Sequence, residues 1–266
     1  LDGSSHTLTP EGVVDFQRVI GSDVVIPLDQ CVAYPCDLAQ AQEALNRTQD
    51  WAQRSKQQFE RTTEDQHPTS GQLLFGIVQG ATDSKLRQEA VERLVEVGFD
   101  GYCLGGFSVG EPRELMAELI PQVAARLPEA APRYLMGMGE PLDLLSSVEA
   151  GVDLFDCVVP TRHARNGIAY TWAGRINLRH AAHRQDERPV DPSCDCFVCN
   201  TYSRMYIRHL IQAGEMLPLR LLSFHNVWFY SKLMSTVRQS VAEGSLKALH
   251  QQIKAAYQPK LEEALQ

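Results

Sequence analysis

Five short apolar runs punctuate the chain: DVVIPLD (23–29), LLFGIVQG (73–80), GYCLGG (101–106), RYLMGMG (133–139) and DLFDCVVPT (153–161). Nearly continuous apolar runs bounded by turn residues are the pattern of strands buried on both faces. Between them, LAQAQEALNRTQDWAQRSKQQFE, DSKLRQEAVERLVEVG, PRELMAELIPQVAARL and EPLDLLSSVEAG place apolar residues near i, i+3, i+4 and i+7, so they read as helices. Alternating strand and helix implies a parallel sheet, either doubly wound or closed as a barrel. No G-x-G-x-x-G fingerprint follows the first strand, which favours a barrel segment. The expected fold class is α/β, with about five of the eight β/α units that a closed (β/α)8 TIM barrel needs.

Barrel enzymes build their active sites from the C-terminal ends of the strands. Here those ends carry Asp29, Gln79, Gly105 and Gly106, Met136 with Gly137, and Asp156. Any one of them alone is more often a cap or turn residue; polar or glycine residues at every end exceed what turns require.

At 266 residues and 44% hydrophobic the chain can bury a large core. It has no apolar stretch of the roughly 20 residues needed to span a bilayer, and its first residues, LDGSSHTLTPEG, have neither the basic start nor the apolar centre of a signal peptide. A cytoplasmic location is the expectation. The first residue is Leu1 rather than Met, as in a fragment or a processed product. The net charge of −8 disfavours nucleic acid at first sight, but it is unevenly placed. From Pro160 to Leu210 eight arginines face four acids, giving that segment +4 and leaving −12 for the rest. Such asymmetry is the footprint of one phosphate-binding face, or of an arginine-rich solvated loop.

The remaining chemistry lies in SCDCFVC, residues 193–199. Cys194, Cys196 and Cys199 form C-x-C-x2-C, and a closed tetrahedral site needs a fourth ligand, for which His225 is the candidate. The helical period of TYSRMYIRHLIQAGE lets the chain run out and return between them. Three thiolates and an imidazole select zinc over hard cations, and a complete set of protein ligands makes the metal structural. The competing reading is three buried, unligated cysteines.

Taken together, FGIVQG, GYCLGGFSVGE, YLMGMG, LFDCVVPTRHARNG and the cysteine knuckle with its distant histidine resemble the queuine tRNA-ribosyltransferases, or tRNA-guanine transglycosylases, of bacterial type. The resemblance runs over essentially the whole chain. It implies a (β/α)8 barrel with an inserted zinc subdomain, organised here as a partial barrel over 1–180, a zinc-binding subdomain over 181–230 and C-terminal helices over 231–266. It implies exchange of guanine at the anticodon wobble position for a 7-deazaguanine, with tRNA as partner and a homodimer as the usual assembly.

The resemblance also implies roles for single residues. Asp156 matches the nucleophile that attacks ribose C1′, and Asp29 the carboxylate that accepts the N1–H and N2–H donors of the base. Gln79 and the Gly106 N–H, next to Gly105, would face O6, and Met136, beside Gly137, would cover one face of the base. The Phe107 carbonyl would take the aminomethyl group of 7-aminomethyl-7-deazaguanine, with Glu111 bracing that peptide; Cys31 and Val109 match the bacterial type. Thr161, Arg162 and Arg165 fall where the family meets the anticodon loop.

Three departures stand out. Gln30 replaces the usual Glu, Glu140 replaces a commonly basic residue, and the D-S-G-G-Y-Q motif, which carries the family's general acid/base Asp, does not occur in these residues. The chain alone is therefore expected not to catalyse exchange. Two other readings stay open: a non-catalytic, zinc-containing tRNA-binding partner subunit, and an unrelated zinc-braced barrel.

Overall fold

The computed structural model describes residues 3–65 and 71–257. By internal contacts the chain divides into two units, one formed by Leu1–Met138 with Ala150–Asp156 and the other by Gly139–Glu149 with Cys157–Gln266.

The first unit carries α1 (Pro10–Val19), β1 (Val24–Val25), α2 (Leu38–Asp65), β2 (Leu73–Val78), α3 (Ser84–Val97), β3 (Gly101–Leu104), α4 (Arg113–Ala124), β4 (Arg133–Leu135) and β5 (Leu154–Phe155). All four strand pairings are parallel. The strands lie in the order β1-β2-β3-β4-β5, each beside its predecessor in the chain. A doubly wound sheet reverses its strand order at a switch point; this one never does, and five β/α units in series are the arrangement of a TIM-barrel segment. Buried runs at β2 and β3 supply Leu74, Phe75, Ile77, Val78, Cys103 and Leu104, all at most 2% exposed. One face joins the helices through Leu45, Leu86, Leu94 and Ile120; the other gathers Phe75, Ile77 and Cys103 with Tyr134 and Met136.

Local signals set the helix starts. Thr9 accepts from the Gly12 N–H, with Pro10 next, and opens α1. Asp83 accepts from the Lys85 and Leu86 N–H groups and opens α3.

The second unit carries α5 (Pro141–Glu149), α6 (Val159–Arg165), an antiparallel hairpin of β6 (Ile168–Thr171) and β7 (Gly174–Asn177), a 3-10 turn (Ala181–His183), then α7 (Phe197–Thr201), α8 (Arg204–Gln212), α9 (Leu217–Ala242) and α10 (Leu246–Tyr257). Its core packs Ala164, Ala169, Leu178, Val190, Val198, Ile207 and Leu222 around Cys196 and Cys199. One sequence expectation needs correction: VVPT does not extend the fifth strand. β5 stops at Phe155 and α6 starts at Val159, because Pro160 cannot donate within a sheet but suits the first turn of a helix. No described helix is long and apolar enough to cross a membrane.

Candidate active site and metal centre

At the end of β5, Asp156 is exposed, and its Oδ1 accepts two hydrogen bonds, from the Tyr134 hydroxyl at 2.7 Å and the Gly137 N–H at 2.9 Å. Tyr134 and Met136 lie two apart around the end of β4, and both pack with Phe75, Ile77 and Cys103; the two-residue period of a strand puts them on one face. Gly137 has φ +75°, the left-handed turn that aims its N–H back at the carboxylate. Among the described residues Oδ2 has no hydrogen-bond partner. The carboxylate is thus fixed through one oxygen and open at the other. Burial, then the bond to Asp156, pushes the Tyr134 phenol well above its ordinary range, so it stays a donor.

A second carboxylate, Asp29, stands four residues past the end of β1, which covers only Val24–Val25 of the expected 23–29 strand. Oδ2 of Asp29 accepts from Gln79 Nε2 at 2.6 Å. Gln79 is buried, and its Oε1 has no hydrogen-bond partner among the described residues. Gly106 presses on that oxygen: a Cβ there would lie 2.3 Å from it, and φ is +68°. Asp29 and Asp156 both bear on the buried Cys103 thiol, which burial first and these two carboxylates next push far up. Cys31 is exposed, its Sγ 3.8 Å from the Val32 carbonyl.

The loop after β3 is held from two sides. Glu111, 8% exposed, accepts from the Ser108 N–H at 2.6 Å and the Val109 N–H at 2.9 Å. The first of these belongs to the peptide whose carbonyl is that of Phe107, so the expected brace is a direct hydrogen bond. From the other side comes Arg87, which nothing in the sequence reading singled out. It is 1% exposed and donates to the carbonyls of Ala81, Val78, Gly105 and Gly106 at 2.8, 3.3, 2.7 and 3.1 Å. Its guanidinium lies 4.0 Å from the Phe107 ring centroid. Burial lowers its pKa to about 10, so it remains a cation at neutral pH. The signal was present: on α3, Arg87 shares the buried stripe of Ala90, Val91 and Leu94.

The departures have partners. Gln30 accepts from Arg47 Nη1 at 2.7 Å, and its N–H donates to Thr48 Oγ1 at 2.9 Å. Glu140 accepts from the buried Tyr170 hydroxyl at 2.9 Å, whose oxygen lies 2.7 Å from His163 Nδ1, and Arg175 stands 3.7 Å away.

In the second unit, Thr161, Arg162 and Arg165 lie on α6; both arginines are exposed, while Thr161 Oγ1 donates to the Val158 carbonyl at 3.3 Å. Of the eight arginines between 160 and 210, Arg204 is structural. It is 9% exposed, donates to the carbonyls of Pro189 and Val190 and pairs with Asp186 at 3.2 Å.

The four candidate metal ligands lie together. The donor atoms of Cys194, Cys196, Cys199 and His225 all lie within 4.8 Å of one another. His225 Nδ1 stands 3.9, 3.5 and 3.3 Å from the three sulfurs in that order, close to the edge of about 3.5 Å of a tetrahedron with bonds of 2.0–2.3 Å. Nε2 donates to the Tyr170 carbonyl at 2.9 Å, which fixes the tautomer and leaves Nδ1 for a metal. The Cys199 N–H points at Cys196 Sγ and the Asp191 N–H at Cys199 Sγ, each at 3.4 Å. Hydrogen bonding with Cys199 above all, and with His225, holds the Cys196 thiol well below its ordinary range. The donor set and its outer hydrogen bonds fit a structural zinc.

Comparison with known proteins gives the family. The family model for queuine tRNA-ribosyltransferase matches residues 1–259. The queuine tRNA-ribosyltransferase of Solidesulfovibrio magneticus is 46% identical over 97% of this chain and 67% of its own length. That of Caulobacter vibrioides is 46% identical over 97% and 68%, and that of Zymomonas mobilis 43% over 97% and 66%. The chain therefore spans about two thirds of the length of these relatives.

Proposed function

Given that this chain belongs to the queuine tRNA-ribosyltransferase family, we propose that it is the part of a tRNA-guanine transglycosylase that carries the nucleophile, the base-recognition carboxylate and a structural zinc. The reaction is exchange of guanine at the wobble position of a tRNA for 7-aminomethyl-7-deazaguanine. The observation that carries this reading is the state of Asp156, held through Oδ1 by two donors and open at Oδ2.

The chemistry is a double displacement. Oδ2 of Asp156 forms a bond to ribose C1′ as the C1′–N9 bond breaks and guanine leaves with the electron pair. The incoming base then attacks C1′ through N9, loses its N9 proton and releases Asp156. Two inversions retain the configuration, as in retaining glycosidases. A carboxylate suits this step, because the transition state is oxocarbenium-like. Protonation of the departing base, and uptake of the N9 proton from the incoming one, fall to the family's upstream acid/base Asp.

Asp29 takes the N1–H and N2–H donors of the base, and Gln79 with the Gly106 N–H faces O6. The Phe107 carbonyl, on the peptide braced by Glu111, takes the aminomethyl group. The exposed arginines of α6 meet anticodon-loop phosphates. Cys194, Cys196, Cys199 and His225 would hold a zinc that fastens their unit and takes no part in the chemistry.

Titration with guanine tests the pocket. Asp29→Ala should abolish binding without changing zinc content or thermal stability, because two buried donors of the base lose their acceptor. Unchanged affinity would refute the assignment. The partner-subunit reading has no observation of its own in its favour, since such a subunit does not need a poised Asp156.

A further inference from the structure

Four successive peptides after β3 are fixed by two side chains of opposite charge. Arg87 holds the carbonyls of Gly105 and Gly106, so the N–H groups of those two peptides, on Gly106 and Phe107, are turned the other way. Glu111 holds the N–H groups of Ser108 and Val109, which turns the carbonyls of Phe107 and Ser108 away from it. Among the described residues, neither the Gly106 nor the Phe107 N–H has a hydrogen-bond acceptor. The loop therefore offers two donors followed by two acceptors. A ligand with an acceptor beside a donor is what such an edge fits.

A buried arginine is costly unless its donors are satisfied, and no carboxylate forms an ion pair with Arg87 among the described residues. A purely apolar side chain at 87 would continue the stripe of Ala90, Val91 and Leu94. The arginine instead divides its donors between Val78 and Ala81 at the end of β2 and Gly105 and Gly106 of this loop. A guanidinium on a carbonyl also polarises that amide and strengthens its N–H as a donor. The amide in question, Gly105–Gly106, is the one whose N–H faces O6 in the reading above.

Resting on that reading, we infer that Arg87 is a positioning residue of the base pocket: it fixes and polarises the Gly105–Gly106 peptide, so that recognition of O6 depends on a side chain that never touches the base. Lysine at 87 cannot span the same carbonyls and should serve only in part.

The test is calorimetric titration of the chain and of Arg87→Lys, Arg87→Met and Asp29→Asn with guanine and with 6-thioguanine. 6-Thioguanine keeps both donors facing Asp29 and replaces O6 by a weaker sulfur acceptor. Arg87→Met should bind guanine about tenfold more weakly, the usual worth of one hydrogen bond. Its preference for guanine over 6-thioguanine should fall at least threefold, with Arg87→Lys between it and the parent. Equal losses for both ligands would make Arg87 merely structural, and no loss would make it irrelevant; either overturns the inference while leaving the pocket in place. If the parent binds no guanine, or Asp29→Asn binds it unchanged, the pocket reading itself fails and the inference with it. Should the Arg87 variants not fold, the unaltered chain decides by nitrogen-15 NMR: guanine should move the Arg87 side-chain resonances more than 6-thioguanine does, and equal or absent shifts would overturn the inference.

Discussion

The Tyr134 hydroxyl reaches Oδ1 of Asp156 at 2.7 Å from the neighbouring strand, β4 to β5, where Tyr134 is in register with Leu154. The pair orients the carboxylate and leaves it one free oxygen. Tyr134→Phe removes the donor and keeps the ring. With the upstream segment bearing the D-S-G-G-Y-Q motif supplied, we expect adduct formation with tRNA to slow by about tenfold, the usual worth of one hydrogen bond to a reacting group, with guanine affinity unchanged. Rapid-quench kinetics measures the first and calorimetry the second; a slower rate with equally weakened base binding would mean that Tyr134 shapes the pocket instead.

Zinc removal is the second expectation. Chelation, or Cys196→Ser, should take the metal content from about one zinc per chain to none. The second unit should unfold with it, because its core is built around Cys196 and Cys199. Elemental analysis beside calorimetric unfolding reads both; well-folded protein without zinc would contradict it.

Much of this was legible in the sequence, and the misses have physical reasons. β2 and β3 stood out because a strand buried on both faces is a continuous apolar run. The four ligands stood out because thiolate and imidazole chemistry leaves few alternatives. The β6–β7 hairpin was hidden: its turn is Trp172–Ala173, without Asn-Gly, and its glycine, Gly174 at φ +104°, follows the turn pair rather than lying within it. Val158 and Val159 imitate a strand, whereas in the structure Pro160 lies in the first turn of α6. Arg87 and Tyr134 act on other residues rather than on a ligand, and partners across the sheet cannot be read from spacing along the chain.

Two arginines should separate RNA binding from folding. Arg162 is exposed, so Arg162→Ala should weaken tRNA binding and reduce the slope of log affinity against log salt by about one, leaving stability unchanged. Arg204 is buried on Asp186, so Arg204→Ala should lower stability by about 2 kcal/mol or more. Filter binding at several salt concentrations and thermal unfolding tell them apart; the reverse pattern would contradict both placements.

Asp186 predicts a pH dependence. Arg188 above all, with His183 and Arg204, holds its carboxyl far below the usual carboxylate range. A carboxylate depressed in the folded state gives stability that is present above its unfolded pKa of about 4 and is lost as pH falls towards the folded value. Acid unfolding should therefore steepen below about pH 4, and Asp186→Asn should flatten that slope. Identical acid profiles for parent and variant would contradict it.

Covalent joining of Asp156 to the tRNA is the step on which the proposed function stands. The chain and its Asp156→Asn variant, each with and without an upstream segment bearing the D-S-G-G-Y-Q motif, are incubated with unmodified tRNA, quenched in denaturant and digested for mass spectrometry. We expect a ribose-linked peptide containing Asp156 when the upstream segment is present, none from Asp156→Asn, and no exchange of labelled guanine by the chain alone. A linked peptide that survives Asp156→Asn, or one that maps to another carboxylate, would contradict it.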